Sequence, residues 1–163
     1  PAGAYAAYLL IAEKIEQKFP SVSFKKNFTF SDLQTRRCGP GENRCGDLTR
    51  MLLDFEPFEE SFRKLSQFKR CSFIVPTDYS LTNLPKDVVR SSITSRCDQA
   101  ELKAIVFRDS FFVELEPFFS ENFKQVVYLM KEFDQNNIEE IMNVFKPDIV
   151  IEEIVERNFS LLH

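Results

Sequence analysis

Residues 103–111, Lys-Ala-Ile-Val-Phe-Arg-Asp-Ser-Phe, bring a candidate nucleophile to the end of a candidate strand. Residues 104–107 form a short apolar run with β-branched and aromatic members, long enough for a buried strand. Asp109-Ser110 follows at once, and Phe111, Phe112, Val113, Glu114 and Leu115 then open a helical pattern. A serine on the turn between strand and helix sits at the carboxyl edge of a sheet, where open α/β folds hold their ligands. Its backbone N–H lies near a helix N-terminus, whose partial positive charge stabilises an oxyanion. The same two residues also read as a helix cap, made by Asp109 or by Ser110. A serine needs a base, and the base needs a third group to orient it. The chain has one histidine, His163, which reads as an exposed terminal residue and not as that base.

Other charged candidates surround the motif. Arg108 has the charge to hold an acyl-donor or sugar carboxylate, or it pairs locally with Asp109. Glu152, Glu153 and Glu156 with Arg157 close a candidate strand, either as site residues or as a solvated ion pair. Cys38, Cys45, Cys71 and Cys97 lack paired metal-ligand spacing and have one histidine between them, so no metal site and no cofactor is expected. They are either two disulfides of an oxidising compartment or four buried thiols. For an exported protein, Cys38–Cys45 closing a turn-rich loop and Cys71–Cys97 are the expected pairs. Asn27-Phe-Thr29 and Asn158-Phe-Ser160 match glycosylation acceptors, short patterns that recur by chance.

The elements that would position these residues alternate. An amphipathic helix is expected over 3–19, stopped by Pro20, with an edge strand at 24–30. A Gly/Pro/Cys loop covers 35–46, and Asp47 caps a short helix to 53. Residues 54–70 read as an excursion, 71–75 as a strand closed by Pro76, and 77–101 as low in order. Strands at 103–107, 125–130 and 148–155 then alternate with helices at 111–121 and 137–145. That alternation implies an α/β fold with a mainly parallel sheet and helices on both faces.

Composition narrows the classes. The chain has 163 residues, 44% hydrophobic and 28% charged, and reads as one domain able to bury a core. Its net charge of −4 and lack of a basic stripe argue against nucleic acid. With 18 Phe and no Trp, any sugar contact would use Tyr, Phe or polar groups. The longest apolar run, 4–12, is too short to span a bilayer.

Three segments resemble the SGNH-hydrolase-like acetyltransferase domain of the alginate O-acetylation family. Phe107-Arg-Asp-Ser-Phe-Phe-Val-Glu-Leu-Glu-Pro-Phe-Phe-Ser-Glu-Asn-Phe123 is similar to its nucleophile block. Lys146-Pro-Asp-Ile-Val-Ile-Glu-Glu-Ile-Val-Glu-Arg157 is similar to its closing strand, and Gly46-Asp-Leu-Thr-Arg-Met-Leu52 to a middle block. The resemblance implies an SGNH-like (flavodoxin-like) three-layer sandwich, incomplete at its N-terminus, with residues 1–163 the C-terminal part of a longer domain. It implies Ser110 as nucleophile and oxyanion-hole N–H, with Arg108, Asp109, Gly46, Asp47, Glu153 and Arg157 lining the site. The family's Asp-x-His-Trp-Asn segment would lie just before Pro1, so this chain alone is expected to be inactive. The implied activity is O-acetylation of an exported or cell-surface polysaccharide, outside the cytoplasm, with a membrane-bound acyltransferase as acetyl source. A carbohydrate acetylesterase, or a non-catalytic polysaccharide-binding domain, stands as the alternative.

Overall fold

The computed structural model describes residues 2–39, 56–66, 70–76, 92–131, 133 and 135–154. They fall into two compact units, one built mainly from 27–68 and the other from 3–26 with 69–163.

The smaller unit is organised by β1 (Gln34–Cys38) and β2 (Phe58–Phe62), paired antiparallel. Arg36 lies opposite Glu60, 2.6 Å from its carboxylate, and its guanidinium covers the Phe62 ring. A charged pair facing across a ladder and an aromatic neighbour both favour this register. Of the expected edge strand at 24–30, only Phe30 pairs, in a single bridge to Leu65. The excursion expected over 54–70 contains β2.

The larger unit holds a five-stranded sheet in the order β3-β4-β6-β5-β7. Its strands are β3 (Phe73–Val75), β4 (Ile93–Arg96), β5 (Lys103–Phe107), β6 (Gln125–Leu129) and β7 (Ile149–Glu152). β5 runs parallel to both β6 and β7, as the helical connections between them require. β4 runs antiparallel to β6, and β3 antiparallel to β4. The fold is therefore mixed α/β, with a mixed sheet and a separate antiparallel pair. The expectation of an SGNH-like, mainly parallel three-layer sandwich is corrected. That reading extended the pattern of the last three strands to the whole sheet, yet no helical pattern separates 75 from 93, and antiparallel neighbours need none.

Strands β5 and β6 form the centre of the core. Alternation turns Ile105, Phe107, Val127 and Leu129 to one face, where Ile141 of helix α3 (Gln135–Phe145) packs with Ile138, Phe145 and Phe133. Tyr128 faces the other way, onto Phe112. Helix α1 (Ala2–Lys18) buries Tyr8, Ala12 and Ile15, a one-sided stripe at helical spacing. Tyr8 packs against Phe118 and Phe119 of the short helix α2 (Glu116–Ser120), and Phe119 stacks on Phe123. Asn122 locks this cluster: its amide donates to the Tyr8 hydroxyl and the Phe118 carbonyl, and its carbonyl accepts from Lys25 N–H. The single helix expected over 111–121 is split into a 3-10 turn (Phe111–Glu114) and α2, with Pro117 in the first turn of α2.

Candidate active site

β5 stops at Phe107, but its neighbours continue to hold the chain. The Arg108 N–H donates to the Leu129 carbonyl at 3.0 Å, and the Phe107 carbonyl accepts from Glu153 N–H at 2.9 Å. The turn 108–110 is thus clamped between the carboxyl ends of two parallel strands. Asp109 N–H then donates to the Glu153 carboxylate at 3.0 Å, while Asp109 Oδ1 accepts Phe111 N–H at 2.7 Å. Asp109 is therefore the side chain that caps the following 3-10 turn. Ser110 occupies the N-cap position with φ −70° and ψ −19°, yet its hydroxyl makes no capping bond. It is exposed.

Arg108 turns inward. Its residue is 4% exposed, with the guanidinium 2.9 Å from the Glu116 carboxylate, 3.0 Å from the Asp109 carbonyl and 3.6 Å from Met130 Sδ. Of the two expectations for Arg108, an external carboxylate or a local partner, the structure shows local pairing, with Glu116 and the Asp109 carbonyl. Burial pushes the Glu116 carboxyl above the usual range, and Arg108 pulls it back. Burial also raises Glu153, with the Asp109 charge adding to the effect. Glu152, its neighbour, is committed elsewhere, accepting Phe133 N–H at 3.1 Å.

Of the residues expected at the site, the structure brings together Asp109, Ser110 and Glu153. Gly46, Asp47, Cys45, Glu156, Arg157 and His163 lie outside the described residues. Cys71 and Cys97 form a disulfide, and Cys38 is disulfide-bonded too. Asn27 and Thr29 of the first glycosylation pattern are exposed. Among the described residues no group of His, Cys, Asp and Glu could hold a metal ion, and no helix is long and apolar enough to cross a membrane. The sequence reading did not pick out Glu116, eight residues past Arg108; no motif marks that pairing.

An apolar groove of about 410 Å³ runs beside the turn, between Ile11 of α1, Phe112, Leu115 and the β7 end at Ile151–Ile154. Glu153 lies in its wall, so the same carboxylate touches both groove and turn. Comparison with models of known protein families, with curated proteins and with solved structures finds no match for this chain.

Proposed function

We propose that Ser110 is the acyl-accepting nucleophile of an O-acetyltransferase acting on an exported or cell-surface polysaccharide. The observation that carries the reading is the division of labour on the turn. Asp109 supplies the cap, which leaves an exposed Ser110 hydroxyl at the carboxyl end of the interior strand β5. In the reaction, Ser110 Oγ attacks the acetyl carbonyl and its proton passes to a base, which hands that proton to the donor's leaving group as it departs. A sugar hydroxyl then attacks the acyl-serine and gives its proton to the freed base, which returns it to Ser110 Oγ as the acetylated sugar leaves. Water in place of the sugar makes the same site an acetylesterase. With the Phe111 N–H taken by Asp109, the oxyanion contact in this reading falls to the Ser110 backbone N–H. The reading requires an imidazole base and an orienting carboxylate of the kind that the Asp-x-His segment of the resembling family supplies. The reading places the protein outside the cytoplasm, and the disulfide Cys71–Cys97 supports that. The reading rests on the local turn and on the motif resemblance, and takes nothing from a parallel-sandwich fold.

The test is to join an Asp-x-His segment ahead of Pro1 and assay hydrolysis of p-nitrophenyl acetate. The joined protein turns over the ester and gains an acetyl-sized mass on the Ser110 peptide, Ser110→Ala abolishes both, and the 163-residue chain alone is silent. Turnover that survives Ser110→Ala overturns the assignment. An inert joined protein that still binds polysaccharide favours a non-catalytic binding domain.

A further inference from the structure

On the sheet face that Tyr128 occupies, the antiparallel side carries a second cavity of about 230 Å³, its wall more apolar than polar. β4 and β6 place Ile93 opposite Tyr128 and Ser95 opposite Val126, so Ser95 and Tyr128 lie on one face. Both line the cavity with Ser120, Glu116, Arg70 and the half-exposed ring of Phe73. Tyr128 is 1% exposed; its hydroxyl donates to the Glu116 carbonyl at 3.3 Å and sits 2.8 Å from Ser120 Oγ. Ser95 is 3% exposed, and its hydroxyl, which faces that of Tyr128, makes no hydrogen bond of normal geometry among the described residues. A buried hydroxyl left unpaired destabilises the fold and calls for an occupant.

The groups present define that occupant. Serine and tyrosine hydroxyls both donate and accept, which suits a ligand whose own groups do both. An anion would offer acceptors alone, and a cation donors alone. Glu116, the carboxylate at the wall, is paired with Arg108 at 2.9 Å, and Arg70, the other charge there, is not a free cation either, so the wall adds little net charge. Phe73 gives a flat apolar side. The volume lies below the roughly 300 Å³ at which drug-sized pockets begin, yet it exceeds the roughly 30 Å³ share of one water. We propose that this cavity binds a neutral, hydroxyl-bearing small molecule about the size of one sugar ring. The proposal does not depend on Ser110 acting as a nucleophile.

Titration of the 15N-labelled chain with methyl β-D-glucopyranoside or myo-inositol tests it by amide shifts, with glucuronate as the charged comparison. The amides of Ile93, Ser95, Ser120 and Tyr128 shift saturably with millimolar affinity for a neutral probe. Ser95→Ala weakens that affinity about tenfold while raising the melting temperature of the empty protein, because it removes an unpaired buried hydroxyl. Ser110→Ala binds as wild type. No saturable shift means that water alone fills the cavity, and this overturns the proposal. So does glucuronate binding far more tightly than the neutral probes, or Ser95→Ala binding unchanged.

Discussion

Replacing Cys71 and Cys97 by alanine removes a cross-link between residues 26 apart, enclosing β3 and β4. Loop-closure entropy for a loop of that length is worth about 3.5 kcal/mol at 25 °C. The folded side keeps its local bonds without the sulfurs. Cys71 and Ser72 N–H both donate to the buried Glu121 carboxylate at 3.1 and 3.2 Å, and Cys97 N–H donates to the Lys124 carbonyl at 3.2 Å. The loss therefore falls on the unfolded chain, which expands, so the urea m value rises as stability drops. For a chain of this size, 3.5 kcal/mol corresponds to a fall in Tm of roughly 7–14 °C. The assay is urea unfolding of wild type, both single alanine variants and the double variant, followed by circular dichroism without reductant. Either single change opens the same cross-link, so each costs nearly as much as the pair, plus a small cavity contribution at the fully buried Cys97. A double variant within about 1 kcal/mol of wild type, or single losses that add, would refute the loop argument.

Three further outcomes test the turn and the core. Asp109→Ala costs about 1 kcal/mol of stability by removing the cap, whereas Ser110→Ala stays within about 0.5 kcal/mol of wild type; chemical denaturation that reverses this order reassigns the cap. The Glu153 carboxyl is raised in the folded state, so its ionised form costs stability above its folded pKa, and that cost fades as pH falls toward the usual value of about 4.3. Glu153→Gln keeps an acceptor for Asp109 N–H, melts above wild type near neutral pH, and loses that advantage by about pH 4; a gap independent of pH contradicts the shift. Phe107, 1% exposed and edge-on to Phe133, loses about 3–5 kcal/mol on truncation to alanine, read by the same denaturation.

What the sequence made legible was the part where burial and chain pattern agree. Residues 104–107 and 126–129 are apolar runs buried on both faces, and they appear within β5 and β6 at the expected places. The helix expected at 137–145 and the strand at 148–155 appear as α3 and the shorter β7. β4 left no such signal. Its buried members are Thr94 and Ser95, so a strand deep in the sheet reads as a polar stretch. β2 is similar, since Phe58-Glu-Glu-Ser-Phe62 has charges where an alternating strand would show apolar residues. Both misses lie in antiparallel pairs, and the missed β4 made the five-stranded sheet look more parallel than it is.

The site shows the same limit at the scale of single bonds. Spacing put Arg108, Asp109 and Ser110 on one turn, but it could not say which of them faces solvent. That is settled by partners distant in sequence. Glu116 and Met130 draw Arg108 inward, and Glu153, delivered by β7, takes the Asp109 N–H. With Arg108 buried and Asp109 bonded to Phe111 N–H, Ser110 is the exposed polar side chain at the head of the turn. The cap therefore belongs to Asp109, and Ser110 is left exposed with no capping bond of its own. The proposed nucleophile role asks for a base beside it, on a strand end that is held by β6 on one side and β7 on the other.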